Sequence, residues 1–351
     1  MAYYRCLWLK RRVKLCEIGY SYAEIVLILY IDEVGMKEDK FARVQLLRRS
    51  FLKSAGALAL TPLISVLPFR VATANSASSI LTRAIPATNE MIPIIGMGSW
   101  LTFSVGGDEA DRARCVEILQ AFFARGGGMV DSSPMYGSSQ EVIGHCLTKL
   151  SYPAGLFSAT KVWILGKTFG INQMESAEEM WGVKQFDLMQ IHNMLSWRTH
   201  LETLKEWKAQ GRIRYIGITT SHGRRHEKME KALLEEEFDF VQFTYNMVDR
   251  EVEQRLLPIA KERGIAVIIN RPFQRGGLFE MVEGKPLPDW SKEFDCDNWA
   301  QYFLKFVLSH PAVTCAIPAT SQVAHMHENM GAAYGKLPDK DMRVRMLKYF
   351  E

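Results

Sequence analysis

The chain has 351 residues, 48% hydrophobic and 23% charged, an ordinary globular composition that excludes a disordered or fibrous protein. Its formal charge of +4 is unevenly placed: residues 1–74 hold twelve of the 43 Lys and Arg but only six of the 39 Asp and Glu, which leaves the remainder at −2. The body therefore lacks the basic surplus of a nucleic-acid-binding surface.

In chain order, residues 1–35 come first and contain an apolar run, 25–30, that fits no targeting pattern. Translation is expected to start at Met36, which makes 1–35 a mis-started extension. Arg48-Arg49-Ser50-Phe51-Leu52-Lys53 then opens an uncharged stretch, 55–67, followed by the small residues Ala72-Thr73-Ala74. Basic, apolar and small-residue regions in that order make a signal peptide. The paired arginines resemble a twin-arginine (Tat) signal. The apolar stretch is too short to span a bilayer as a helix, so no stable membrane anchor is expected. Residues 36–74 are read as this signal, which implies export to the periplasm through the Tat machinery. The plainer reading is a cytoplasmic chain with a basic amphipathic extension.

The body, 75–351, alternates short apolar runs with helix-like segments. Eight runs, 91–95, 129–131, 156–161, 187–192, 215–218, 240–243, 266–269 and 313–317, start mostly one βα unit apart. Between them, Trp197, Leu201, Leu204 and Trp207 recur on one helical face, with Gly211 just beyond as a stop. Trp299, Tyr302, Phe303, Phe306 and Val307 make a second stripe. Eight alternations predict an α/β fold of the (β/α)8 (TIM) barrel type, in one domain. An open doubly wound sheet would need a Gly-rich turn, and Gly96-Met97-Gly98 lacks the third glycine. A long connection, 273–298, interrupts the rhythm, with Gly276-Gly277 as a candidate hinge. Four body cysteines, Cys115, Cys146, Cys296 and Cys315, form no C-x-x-C pair, so nothing points to a metal. Buried thiols are expected, although a Cys115–Cys146 disulfide is conceivable in an exported protein.

Barrel enzymes place chemistry at the C-terminal ends of strands. Those ends carry Asp131, with Tyr136 in the following loop, then Lys161, then His192. Alone, each has a plain reading as a turn residue, a solvated lysine or a core histidine. Together they suit acid-assisted reduction of a carbonyl. Hydride addition leaves negative charge on oxygen, which needs a proton and nearby donors. Lys161 would lower the phenol pKa of Tyr136, Asp131 would hold Lys161, and His192 would orient the carbonyl oxygen.

The segment 130–137 with Glu141 and Gly144, the run 160–163, the run 187–193 and the run 211–217 together resemble the aldo-keto reductase family. The resemblance spans 92–329 and implies reduction of aldehydes or ketones with NADPH, in the roles just described. It further implies cofactor contacts from Gln242 and Pro272, and an adenosine-phosphate segment of Thr320, Ser321, Gln322, His325, Glu328 and Asn329. Trp100 and Trp163 would wall the substrate pocket. Five positions depart from the family pattern. Thr219 and Thr220 replace a Ser-Asn pair, Asn270 replaces a stacking aromatic, and Gln322 and His325 stand where basic residues are common. A 2′-phosphate is usually held by a basic side chain, so NADH becomes possible. The altered positions also admit an exported nicotinamide-binding or redox-sensing barrel with little turnover.

Overall fold

Parallel strands covered on both faces read as near-continuous apolar runs, because neither face meets water. In the computed structural model, which describes residues 79–351, eight such strands lie side by side in chain order. They are β3 (Met97–Gly98), β4 (Met129–Asp131), β5 (Phe157–Val162), β6 (Phe186–Ile191), β7 (Ile213–Thr219), β8 (Phe240–Thr244), β9 (Ala266–Asn270) and β10 (Cys315–Ala316). Bridges from Ile95 to Ala316 and from Gly98 to Ala319 join the first strand to the last. Helices α1 (Glu109–Ala124), α2 (Ser139–Lys149), α3 (Lys167–Trp181), α4 (Trp197–Ala209), α5 (His226–Glu235) and α6 (Leu256–Glu262) alternate with the strands. The (β/α)8 expectation is borne out. The expected extension and signal, 1–35 and 36–74, lie outside the described residues.

The first apolar run is placed differently from the sequence expectation. Met91–Pro93 is β2, which pairs antiparallel with β1 (Thr82–Ala84) instead of entering the barrel. Ile85 and Ile92 of this hairpin region pack with Met129, Phe157, Leu188, Tyr215 and Phe240, all projecting from barrel strands. A plug strand and a barrel strand bury the same kind of residue, so hydrophobicity alone does not separate them.

The stretch 273–298 is also more structured than a loop. It holds α7 (Gly277–Met281) and a 3-10 turn at Asp289–Phe294. Gly276 takes φ 96°, a conformation open to glycine, at the turn into α7. Both aromatic stripes are helical and buried except for the half-buried Trp299, the second lying on α8 (Trp299–Leu308). On α8, the buried Lys305 ammonium donates to the carbonyls of Phe294, Tyr334 and Lys336 at 2.8–2.9 Å, tying the 3-10 turn to the chain beyond β10. The four described cysteines are free and buried, and burial pushes the Cys115 and Cys146 thiols up to about 11 and about 12.

Helix α2 meets α3 at Gly144, where an added Cβ would fall 1.8 Å from the backbone oxygen of Met180. Backbone cannot yield as a flexible side chain can, so Gly144→Ala should separate the two helices at a cost of about 3 kcal/mol. A lowered urea midpoint at unchanged slope would register this; an unchanged midpoint would contradict it.

Candidate active site

Side chains alternate along a strand, so residues two apart face the same side. The inward positions are apolar low in the barrel and polar at the strand ends. On β5 they are Phe157, Ala159 and Lys161; on β6 they continue through Leu188 and Gln190 to His192. Lys161 and Gln190 are register partners across β5 and β6.

Lys161 and Asp131 are both almost wholly buried and form an ion pair. The ammonium also donates to the Ser132 carbonyl at 2.8 Å. The second Asp131 oxygen accepts from Gln190 at 2.7 Å and from Gln242 at 3.2 Å. Gln242 donates in turn to Gln190 at 3.0 Å. Asn270 donates to Gln242 at 3.3 Å and to the Thr220 carbonyl at 3.0 Å, and accepts from Thr244 at 2.7 Å. Gly217 of β7 makes room for this network: a Cβ there would lie 2.8 Å from Cγ of Gln190.

Tyr136 and Trp163 flank His192. The Tyr136 ring stands at 90° to the imidazole with centroids 5.7 Å apart, and the Trp163 ring lies at 6.2 Å. The Lys161 ammonium sits 5.3 Å from the Tyr136 ring centroid. Burial first, then the Asp131 charge, pushes the Tyr136 phenol up. The sequence expectation ran the other way, with Lys161 lowering it. Desolvation of the buried phenol and the Asp131 charge outweigh the opposing Arg271 charge. Burial pulls the Lys161 ammonium down while Asp131 raises it. Burial, followed by the Lys161 charge, holds His192 well below the ordinary imidazole range, so the ring is neutral near pH 7.

The remaining expected positions divide into groups. Thr219 accepts from the Asn193 backbone N–H at 3.0 Å, and Thr220 donates to the Arg224 carbonyl at 2.6 Å, so both hydroxyls brace rim loops. Thr320, His325, Glu328 and Asn329 line one cavity of about 270 Å³ with Phe273, Phe279, Ala300 and Ala319. No Lys or Arg lines it. Ser321 and Gln322 are exposed at the start of α9 (Val323–Gly331), and Pro272 lies in the loop that follows β9. At Trp100 the Arg275 guanidinium lies 4.3 Å from the ring centroid and that of Arg271 5.9 Å.

Several site residues were not singled out from the sequence. Gln190 lies two residues before His192, and strand alternation marks it as inward-facing. Arg271 and Arg275 flank Pro272 and Phe273, and both donate to Nε2 of His222, Arg275 at 3.3 Å. Burial and these guanidinium groups pull His222 down to about 3. Phe273 and Phe279 carried no signal beyond their apolarity.

Comparison with known proteins gives a consistent picture. Residues 94–344 match the model of the aldo/keto reductase family. An uncharacterized oxidoreductase of Schizosaccharomyces pombe is 27% identical over 259 residues, covering 68% of this chain and 78% of that protein. The NADH-specific methylglyoxal reductase of Escherichia coli is 25% identical over 221 residues, 52% of this chain and 64% of that one. Among solved structures, an aldo/keto reductase from Klebsiella pneumoniae, in complex with NADP and acetate, superposes with a TM-score of 0.64 at 20% identity, covering 77% of this chain and 96% of that one.

The buried pair makes a prediction independent of any substrate. Asp131→Asn leaves the Lys161 charge uncompensated and should cost about 3–5 kcal/mol. Adding Lys161→Met should recover much of that loss. Denaturant titration of both single variants and the double variant measures the coupling, and additive losses would show that the pair does not act as a unit.

Proposed function

The chain belongs to the aldo/keto reductase family, and from this premise we propose that it reduces an aldehyde or ketone to an alcohol, with Tyr136 as proton donor. The observation that carries the reading is a protonated phenol and a neutral imidazole held side by side over a buried ammonium. A nicotinamide dinucleotide, when bound, supplies the hydride. Gln242 and Asn270 would face its nicotinamide end. The cavity with Thr320, His325, Glu328 and Asn329 would take its adenosine end, and its size and mixed lining fit that group. With no Lys or Arg on that lining to meet a 2′-phosphate, NADH is admitted beside NADPH.

His192 and the Tyr136 hydroxyl would hold the carbonyl oxygen, and Trp163 would pack beside the carbonyl carbon's substituents. As charge develops on that oxygen, Tyr136 gives up its proton. The Lys161 ammonium then lies close to the phenolate and stabilises it. Asp131 keeps Lys161 charged throughout.

Tyr136→Phe should lower kcat at least about 100-fold, the scale of a lost general acid. Quenching of tryptophan fluorescence by NADPH or NADH should keep its midpoint. Full turnover in the phenylalanine variant would overturn the role of Tyr136. A second reading, a nicotinamide-binding or redox-sensing barrel, draws on the internal bonding of Asn270 and on Thr219 and Thr220, whose hydroxyls brace loops. Tight cofactor binding by the wild type without turnover on a carbonyl panel would favour it.

We further propose export through the Tat route, on the strength of Arg48-Arg49 and the stretch that follows. That route carries folded proteins, so a cofactor loaded in the cytoplasm can travel with the barrel. Cells expressing the chain should hold a periplasmic form shortened to about residue 75, and Arg48→Lys/Arg49→Lys should retain the uncleaved form inside. Wild-type protein confined to the cytoplasm would sink this proposal.

A further inference from the structure

The loop between β4 and α2 carries a hydroxyl with no part in the chemistry above. Residues Ser133 to Tyr136 close a β-turn, the Tyr136 N–H donating to the Ser133 carbonyl at 3.0 Å. Pro134 occupies the second position, where its fixed φ suits the turn. The turn brings the Ser133 hydroxyl to 2.8 Å from Nδ1 of His192. The same hydroxyl oxygen accepts the Met135 N–H at 3.2 Å. Ser133 is fully buried and His192 only 6% exposed.

A neutral imidazole carries one N–H, and the partner of one nitrogen decides what the other can do. If Nδ1 held the proton, it would donate to Ser133. The serine oxygen would then accept twice, and its own proton would need another acceptor. Among the described residues, no other acceptor is bonded to that hydroxyl. A buried donor left unmade is costly. If Ser133 donates to Nδ1 instead, the buried hydroxyl proton has its acceptor and the imidazole proton sits on Nε2, which is not among the enclosed side-chain atoms left without a partner.

We propose that Ser133 is a positioning residue that fixes His192 in its Nε2–H tautomer, so that the imidazole can only donate toward the barrel mouth. The Tyr136 and Trp163 rings packed against the imidazole oppose its rotation out of this arrangement. The neighbouring Lys161 ammonium opposes a second proton on the ring. The consequence is a donor that is set before substrate arrives, and that points at an oxygen about to become negative. The inference rests on the proposed role of His192 toward the carbonyl oxygen.

Two measurements test it separately. In the full chain labelled with ¹⁵N-histidine, the His192 signals, assigned by their loss in His192→Gln, should show Nδ1 unprotonated and Nε2 protonated. In Ser133→Ala the two tautomers should mix, and Ser133→Thr, which keeps the hydroxyl, should restore one. A misdirected donor forfeits on the order of 10²–10³ in kcat for the molecules that hold it, so an even mixture in Ser133→Ala should lower kcat about twofold, in step with the fraction of Nε2–H ring, with cofactor binding unchanged. A wild-type ring protonated on Nδ1, or a Ser133→Ala chain that keeps both the single Nε2–H tautomer and full kcat, would overturn the proposal. Absence of wild-type turnover would instead count against the proposed reaction, and the nitrogen signals would still decide the tautomer.

Discussion

One buried charge governs the mouth of this barrel. Lys161 is wholly enclosed, and an enclosed ammonium without a partner costs several kcal/mol. Asp131 and the Ser132 carbonyl meet that cost, but Asp131 is then itself a buried carboxylate with a second oxygen to satisfy. Gln190 and Gln242 supply the donors, and Asn270 fixes Gln242. Five strands, β4, β5, β6, β8 and β9, are thereby tied through side chains at one level. A polar network in low dielectric is stabilising only when it is complete, which explains why so many neighbours are specified around one lysine.

The same network sets the acid–base character of its surroundings. The phenol of Tyr136 responds chiefly to its own burial, and after that to the Asp131 charge. His192 lies on the other side of the balance: burial and what remains of the Lys161 charge both keep it neutral. The site therefore presents two neutral donors, a phenol and an imidazole, over a charge that is already paired. On the proposed reaction a raised phenol pKa is no obstacle, since an alkoxide forming at the carbonyl oxygen is a stronger base than any phenolate.

Much of this was legible in the sequence because strand periodicity and chemistry coincide. Residues 157–161 and 188–192 each step inward every second residue and end on Lys161 and His192, so ordering the apolar runs also ordered the candidate residues. Gln190 was readable by the same rule, but an inward glutamine carries no reactive signature of its own. The hairpin strand at Met91–Pro93 was not readable, since plugging a barrel and lining it call for the same apolar side chains. Ser133 was hidden for another reason. Its partner lies 59 residues away, and only the turn geometry around Pro134 brings the hydroxyl to the imidazole.

The departures around the cofactor positions follow from how the rim is braced. A stacking aromatic at position 270 would supply a flat surface but no hydrogen bonds. Asn270 instead completes the chain from Asp131 through Gln242 to the loop after β7. Thr219 and Thr220 hold the adjacent loops through their hydroxyls, and Arg271 and Arg275 converge on His222 beside Trp100. The rim thus exchanges surface for bonding at each of these positions. Such a rim is ordered through contacts within the protein, so a ligand entering it has less loop entropy to remove, but it must compete with bonds already made. The chemistry at Tyr136 and His192 stands apart from that competition, because neither side chain belongs to the hydrogen-bonded chain of Gln242, Asn270 and the Thr220 carbonyl.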